Sequence, residues 1–147
     1  MKTYLITLLL VVVMSFFACS QKESTDRASR QNDPIEWAEM DSFHMIQTEG
    51  YYPYKDSANL EPIKRLADAM AQEASAWASA SLPLKVNNDA MKAQLNQLKT
   101  DTHALAEMIK GGASDEEIGT SLQALHDSFH LIMEAWNEEG QEHEHQH

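Results

Sequence analysis

The sequence predicts an all-α fold, an antiparallel up-down-up-down bundle of four helices. Three observations predict it. Apolar residues recur at alternating spacings of three and four along three long segments. Helix start and stop residues punctuate the chain at matching intervals. No stretch of consequence alternates with the period of two that a half-buried strand requires.

The first helix is expected from Asp33-Pro34-Ile35-Glu36. Asp supplies an N-cap, Pro occupies the first helical position, and Glu36 reaches back to a free N–H. This helix runs to about Gln47, and Gly50-Tyr51-Tyr52-Pro53-Tyr54 reads as an aromatic loop that breaks it. The second helix begins near Ser57 to Asn59, tolerates Pro62 in its first turn, and ends before Pro83. Its core line is Leu60, Ile63, Ala67, Met70, Ala74 and Trp77.

The third helix starts at Asn87 or Asn88 and presents Met91, Leu95, Leu98, Thr102, Leu105 and Ile109 before Gly111-Gly112 stops it. Ser114-Asp115-Glu116-Glu117 opens the fourth as a capping box, with acids where the helix dipole favours them. Its line is Ile118, Leu122, Leu125, Phe129, Ile132 and Trp136. Short loops on either side of the third helix force neighbours to pack antiparallel. The tryptophans fall on core lines and read as core, Thr102 is expected to bond back to its own helix, and Glu61 reads as a helix-start charge.

Outside the bundle, expected over 33–137, three segments stand apart. Residues 1–18 have a charged start at Lys2 and a nearly unbroken apolar run from Tyr4 to Phe17, the pattern of a secretory signal. Residues 19–32 are polar and without apolar periodicity, which reads as a flexible tether. Residues 138–147 form an acidic tail ending in His143-Glu144-His145-Gln146-His147.

Charge and cysteine usage exclude whole classes of function. There are 11 Lys and Arg against 23 Asp and Glu, a formal charge of −12. Loss of Lys2 with the leader brings this to −13. Nucleic acid is a poor partner for such a surface. Cys19 is the single cysteine, so disulfides, thiolate metal sites, iron–sulfur clusters and covalently attached haem are excluded. No nucleophile, glycine-rich phosphate loop or acid pair stands at recognisable spacing, so no enzyme is expected.

The chemistry that remains lies in histidine. In Leu125-His126-Asp127-Ser128-Phe129-His130, each of two core residues is followed by a histidine. His126 and His130 therefore share a helix face one turn apart, the spacing at which two imidazoles reach one metal ion. If the first and fourth helices have level ends, residues whose numbers add to about 170 share a height. His44 then faces His126, and Met40 faces His130. The expected site is a transition metal, Zn, Ni or Cu, held by His44, His126 and His130 with Met40 or Asp127 as further ligands. Asp41 is a further acceptor beside it, and His103 is a reserve ligand on the third helix.

Two resemblances follow from these residues. Phe16-Phe17-Ala18-Cys19 resembles the lipobox of bacterial lipoproteins, with Phe16 where that family prefers Leu. The resemblance implies lipidation at Cys19, attachment to the cell envelope, and, with Ser20 next, the outer membrane. The bundle with Met40 and His130 resembles the four-helix cytochromes, cytochrome c-prime and its b-type relatives. That resemblance implies non-covalent haem with Met40 and His130 as axial ligands. The histidines and the acidic tail also look like those of small periplasmic helical proteins that sense or buffer transition metals. Three readings stand: a metal-binding lipoprotein, a haem-binding electron carrier, and a non-catalytic structural or interaction lipoprotein.

Overall fold

A computed structural model of the protein describes residues 36–142, with side chains as far as residue 138. The leader, Cys19, the tether, Asp33-Pro34-Ile35 and the three tail histidines lie outside the described residues. Within them the fold is the expected four-helix bundle: α1 (Ala38–Ser57), α2 (Glu61–Ser79), α3 (Asp89–Lys110) and α4 (Asp115–Glu142). One turn of 3-10 helix, Leu84–Val86, lies between α2 and α3 and packs against α4. Helices adjacent in sequence pack side by side, and α1 closes the ring onto α4. None of the described helices is long and apolar enough to cross a membrane.

The periodic lines become the core. Every residue named for the α2 and α4 lines is buried, as are Met91, Leu95, Leu98, Thr102 and Leu105 of α3; Ile109 is partly buried at its edge. Trp37, Trp77 and Trp136 join Phe43 and Phe129 in one aromatic group. The indole N–H groups of Trp37 and Trp77 are buried there without a hydrogen-bond partner. Burial of several large rings outweighs those two costs, since each ring contributes well over the roughly 1–3 kcal/mol of an unsatisfied donor.

The caps expected for α3 and α4 form. The Asn88 side chain accepts from the Met91 N–H at 2.8 Å. At α4, the Glu117 carboxylate accepts from the Ser114 N–H at 2.9 Å while Ser114 Oγ accepts from the Glu117 N–H at 3.3 Å. The Ser114 hydroxyl also donates to that carboxylate at 2.7 Å, and this bond first, then the Ser114 N–H, holds the Glu117 pKa below its ordinary value. Thr102 Oγ1 donates to the Lys99 carbonyl at 2.8 Å, within its own helix.

Helix α1 departs from the expectation at both ends. It begins at Ala38, after an extended Trp37 whose ring turns inward against Trp77 and Trp136. It then continues ten residues beyond Gln47, through Gly50 and Pro53, to Ser57. Gly50 serves proximity rather than breakage: a Cβ there would stand 3.0 Å from Ile63 of α2. Pro53 lies in the closing turns, where its missing N–H costs one bond, and burial of Tyr51 beside it repays the loss. The turn comes instead at Ala58, which adopts the left-handed conformation (φ 54°) and donates its N–H to the Tyr54 carbonyl at 2.7 Å, while the Asn59 N–H donates to the Pro53 carbonyl at 3.1 Å. The start of α2 also shifts, to Glu61, with the Asn59 side chain accepting from the Glu61 N–H at 3.1 Å. Helix α4 runs past Trp136 to Glu142, so the first five residues of the expected tail are helical.

Candidate metal centre

The seam between α1 and α4 carries the histidines, and its register follows from the largest side chains in it. Trp37 meets Trp136 at 5.3 Å between ring centroids, and Phe43 meets Phe129 at 5.5 Å. Buried Gln47 donates to the Leu125 carbonyl at 3.2 Å. Tyr54 lies on Gly119, so closely that a Cβ there would stand 2.7 Å from its ring. In each pair the numbers add to 172 or 173 rather than 170. The level-ends assumption fails because α1 starts late and α4 ends late, and the slip approaches one helical turn.

That slip rearranges the expected ligands. His44 is level with Phe129 and stacks on it, with centroids 5.1 Å apart and planes 27° apart. With its ring on Phe129 it is not grouped with His126 and His130 as a ligand. Met40 is partly buried and packs against the core. Among the described residues, no three or more His, Cys, Asp or Glu side chains are grouped to hold a metal ion. The expected set of His44, His126, His130, Met40 and Asp127 is therefore not assembled.

What the fold does assemble is the pair. His126 Nε2 and His130 Nε2 are 3.1 Å apart. The His126 ring lies flat on Tyr51, with centroids 3.8 Å apart and planes 15° apart, and its side chain is 17% exposed. His130 is on the surface. Asp127 Oδ1 faces His126 Nδ1 at a loose 3.5 Å and accepts from Gln123 Nε2 at 2.8 Å. The Tyr51 hydroxyl in turn donates to Gln123 Oε1 at 2.7 Å. Asp127 is thus a partner of the histidine it neighbours, not a member of a ligand group. Its carboxylate favours the His126 tautomer protonated at Nδ1, which turns the Nε2 lone pair toward His130. Burial holds the His126 pKa below its ordinary value; the charge of His130 and of Lys55 adds to this, and Asp127 opposes it.

Two nitrogens at this separation match one ion. With metal–nitrogen bonds of about 2.0–2.1 Å, they subtend roughly 100° at the metal, between the cis angle of a square-planar ion and the tetrahedral angle. In the metal-free state a proton on one Nε2 bridges the same gap as a hydrogen bond. The rings of Trp37, Phe43, Trp77 and Phe129 touch one another in the interior, and His130, the axial ligand expected for haem, is on the surface.

His103 is committed elsewhere, with Nε2 2.8 Å from Ser75 Oγ across the α2–α3 seam. Ser75 Oγ also donates to the Ala71 carbonyl at 2.8 Å, within its own helix. Tyr51 and Gln123 escaped the sequence reading. Tyr51 sat in an expected loop, whereas the Gln123–Asp127 pair at helical spacing was a signal available for use. No protein-family model, curated protein or solved structure matches the chain.

Proposed function

We propose that this protein binds a divalent transition-metal ion, Zn, Ni or Cu, through His126 and His130 at the outer edge of the α1–α4 seam. It does so as a lipoprotein of the cell envelope, anchored at Cys19 with the outer membrane favoured, and it senses or buffers the metal. The observation that carries the reading is the 3.1 Å separation of the two Nε2 atoms. Support comes from the Tyr51 stack and the Asp127 carboxylate, which hold one imidazole in place and in the ligating tautomer. The acidic surface adds to it by raising the local concentration of cations.

Titration calorimetry with zinc, nickel and copper tests it on three proteins: the parent, the His126→Ala/His130→Ala double variant, and a chain lacking residues 141–147. The parent is expected to show one tight site, absent from the double variant. Removal of the tail is expected to delete only weak sites. Tight binding should weaken as pH falls below about 6.5, because ligating imidazole is neutral. Equal tight binding by the double variant, or none by the parent, rejects the metal reading and favours a structural or interaction protein in which the histidine pair merely closes the seam. Membrane partition of a Cys19→Ala protein tests the anchor separately.

A further inference from the structure

A pair of imidazoles leaves half of a four-coordinate shell to water. A third imidazole at a matching height is on the opposite helix. The contacts between α1 and α4 put His44 level with Phe129, and so between His126 and His130 along the bundle axis. It also shares their side of the seam. His44 precedes Tyr51 by seven residues, two helical turns, and Tyr51 is the residue that lies flat on His126. The His44 ring is exposed, one face rests on Phe129, and its nitrogens make no hydrogen bond among the described residues. Thr102, Gln47 and His103, by contrast, are each held by a hydrogen bond.

We propose that His44 is the third imidazole of the site, parked on Phe129 when no metal is present and turned onto the His126–His130 pair when metal binds. The movement is a change of side-chain rotamer on an exposed residue, with no shift of either helix. It exchanges one ring contact for one metal–nitrogen bond. The result is a three-nitrogen set spanning two helices with one position left for water or a small anionic ligand. It also links α1 to α4 across the seam.

This inference rests on the metal reading above, and the test separates the two. The full chain is used with His143, His145 and His147 replaced by Ala, so that tail nitrogens do not contribute. Copper(II) is titrated by calorimetry, and the bound nitrogens are counted by electron paramagnetic resonance. The comparison set is this parent, His44→Ala and His44→Phe; the last keeps an aromatic ring on Phe129 but offers no nitrogen. Three coordinated imidazoles in the parent are expected, with two in both variants and an affinity loss of ~10-fold or more. Two imidazoles in the parent, or unchanged affinity in His44→Phe, overturns the role of His44 and leaves the pair standing. No tight copper site in the parent overturns both. Helical circular dichroism of each variant confirms that the comparison is between folded proteins.

Discussion

The α2–α3 seam and the α1–α4 seam are built on opposite plans. Between α2 and α3 the meeting surfaces are Ala67, Ala71 and Ala106, and the two helices lie close along much of their length. Between α1 and α4 contact is sparser, and the space is taken by Phe43, Phe129, Tyr51, Tyr54 and the amide of Gln47. Each seam has a histidine at its edge. At the close seam His103 meets Ser75 and is satisfied at once, and the nearby Lys110–Asp68 ion pair at 2.9 Å further ties the edges together. At the wide seam His126 is held by a ring stack that occupies its face and leaves Nε2 directed at His130. Small residues seal an edge; large ones hold it open and let a polar group keep an unused valence.

The comparison can be broken at its most heavily packed point. Phe129→Ala removes a ring that contacts Phe43, Trp77 and His44, and is expected to cost about 3–5 kcal/mol against urea. Binding at His126 and His130 should fall less than stability does, because the pair is set by its own helix.

Overfilling the close seam comes next. Ala71→Leu inserts a side chain where Ala67 and Ala106 leave no room, with an expected loss of about 1–3 kcal/mol. The measurement that checks it is the urea midpoint at constant m-value. A neutral result would mean that the α2–α3 seam is not close-packed.

Gly119→Ala probes the wide seam with a smaller addition. The new methyl meets the Tyr54 ring, but that ring is only partly buried, and alanine favours the helix by about 1 kcal/mol over glycine. The net loss is expected to be roughly 1 kcal/mol in the same urea assay, and Gly119→Ala with Tyr54→Ala should recover the helix gain at Gly119.

The smallest effect is that of pH. The folded His126 pKa is lowered, chiefly by burial, so the unfolded chain binds the proton more readily. Stability from this group is complete above the ordinary histidine value of about 6.5 and is lost as pH falls through the lower folded value. Denaturation of the metal-free protein is expected to be easier at pH 5 than at pH 7.5. The difference should shrink in His126→Ala, and an unchanged pH dependence there would assign it to other groups.

Helix count, the core lines of α2, α3 and α4, and the caps at Asn88 and Ser114 were legible in the residues because each depends on neighbours within one or two turns. The His126–His130 pair was legible for the same reason, being a property of one helical face. Residues Gly50 to Tyr54 were not. Read locally they break a helix, yet Gly50 is there for the approach of Ile63, and Tyr51 and Tyr54 are held by α4.

The height of His44 against α4 was likewise beyond the sequence. Periodicity states which face of a helix is apolar but leaves the helix free to slide along its neighbour in steps of about one turn. That sliding ends only when particular shapes meet, Trp37 against Trp136 at one end and Tyr54 over Gly119 at the other. Composition and spacing therefore determined which helices exist and which histidines share a face. The tertiary packing alone decided at what height His44 stands against them, because register is set by the fit of two surfaces and not by either one.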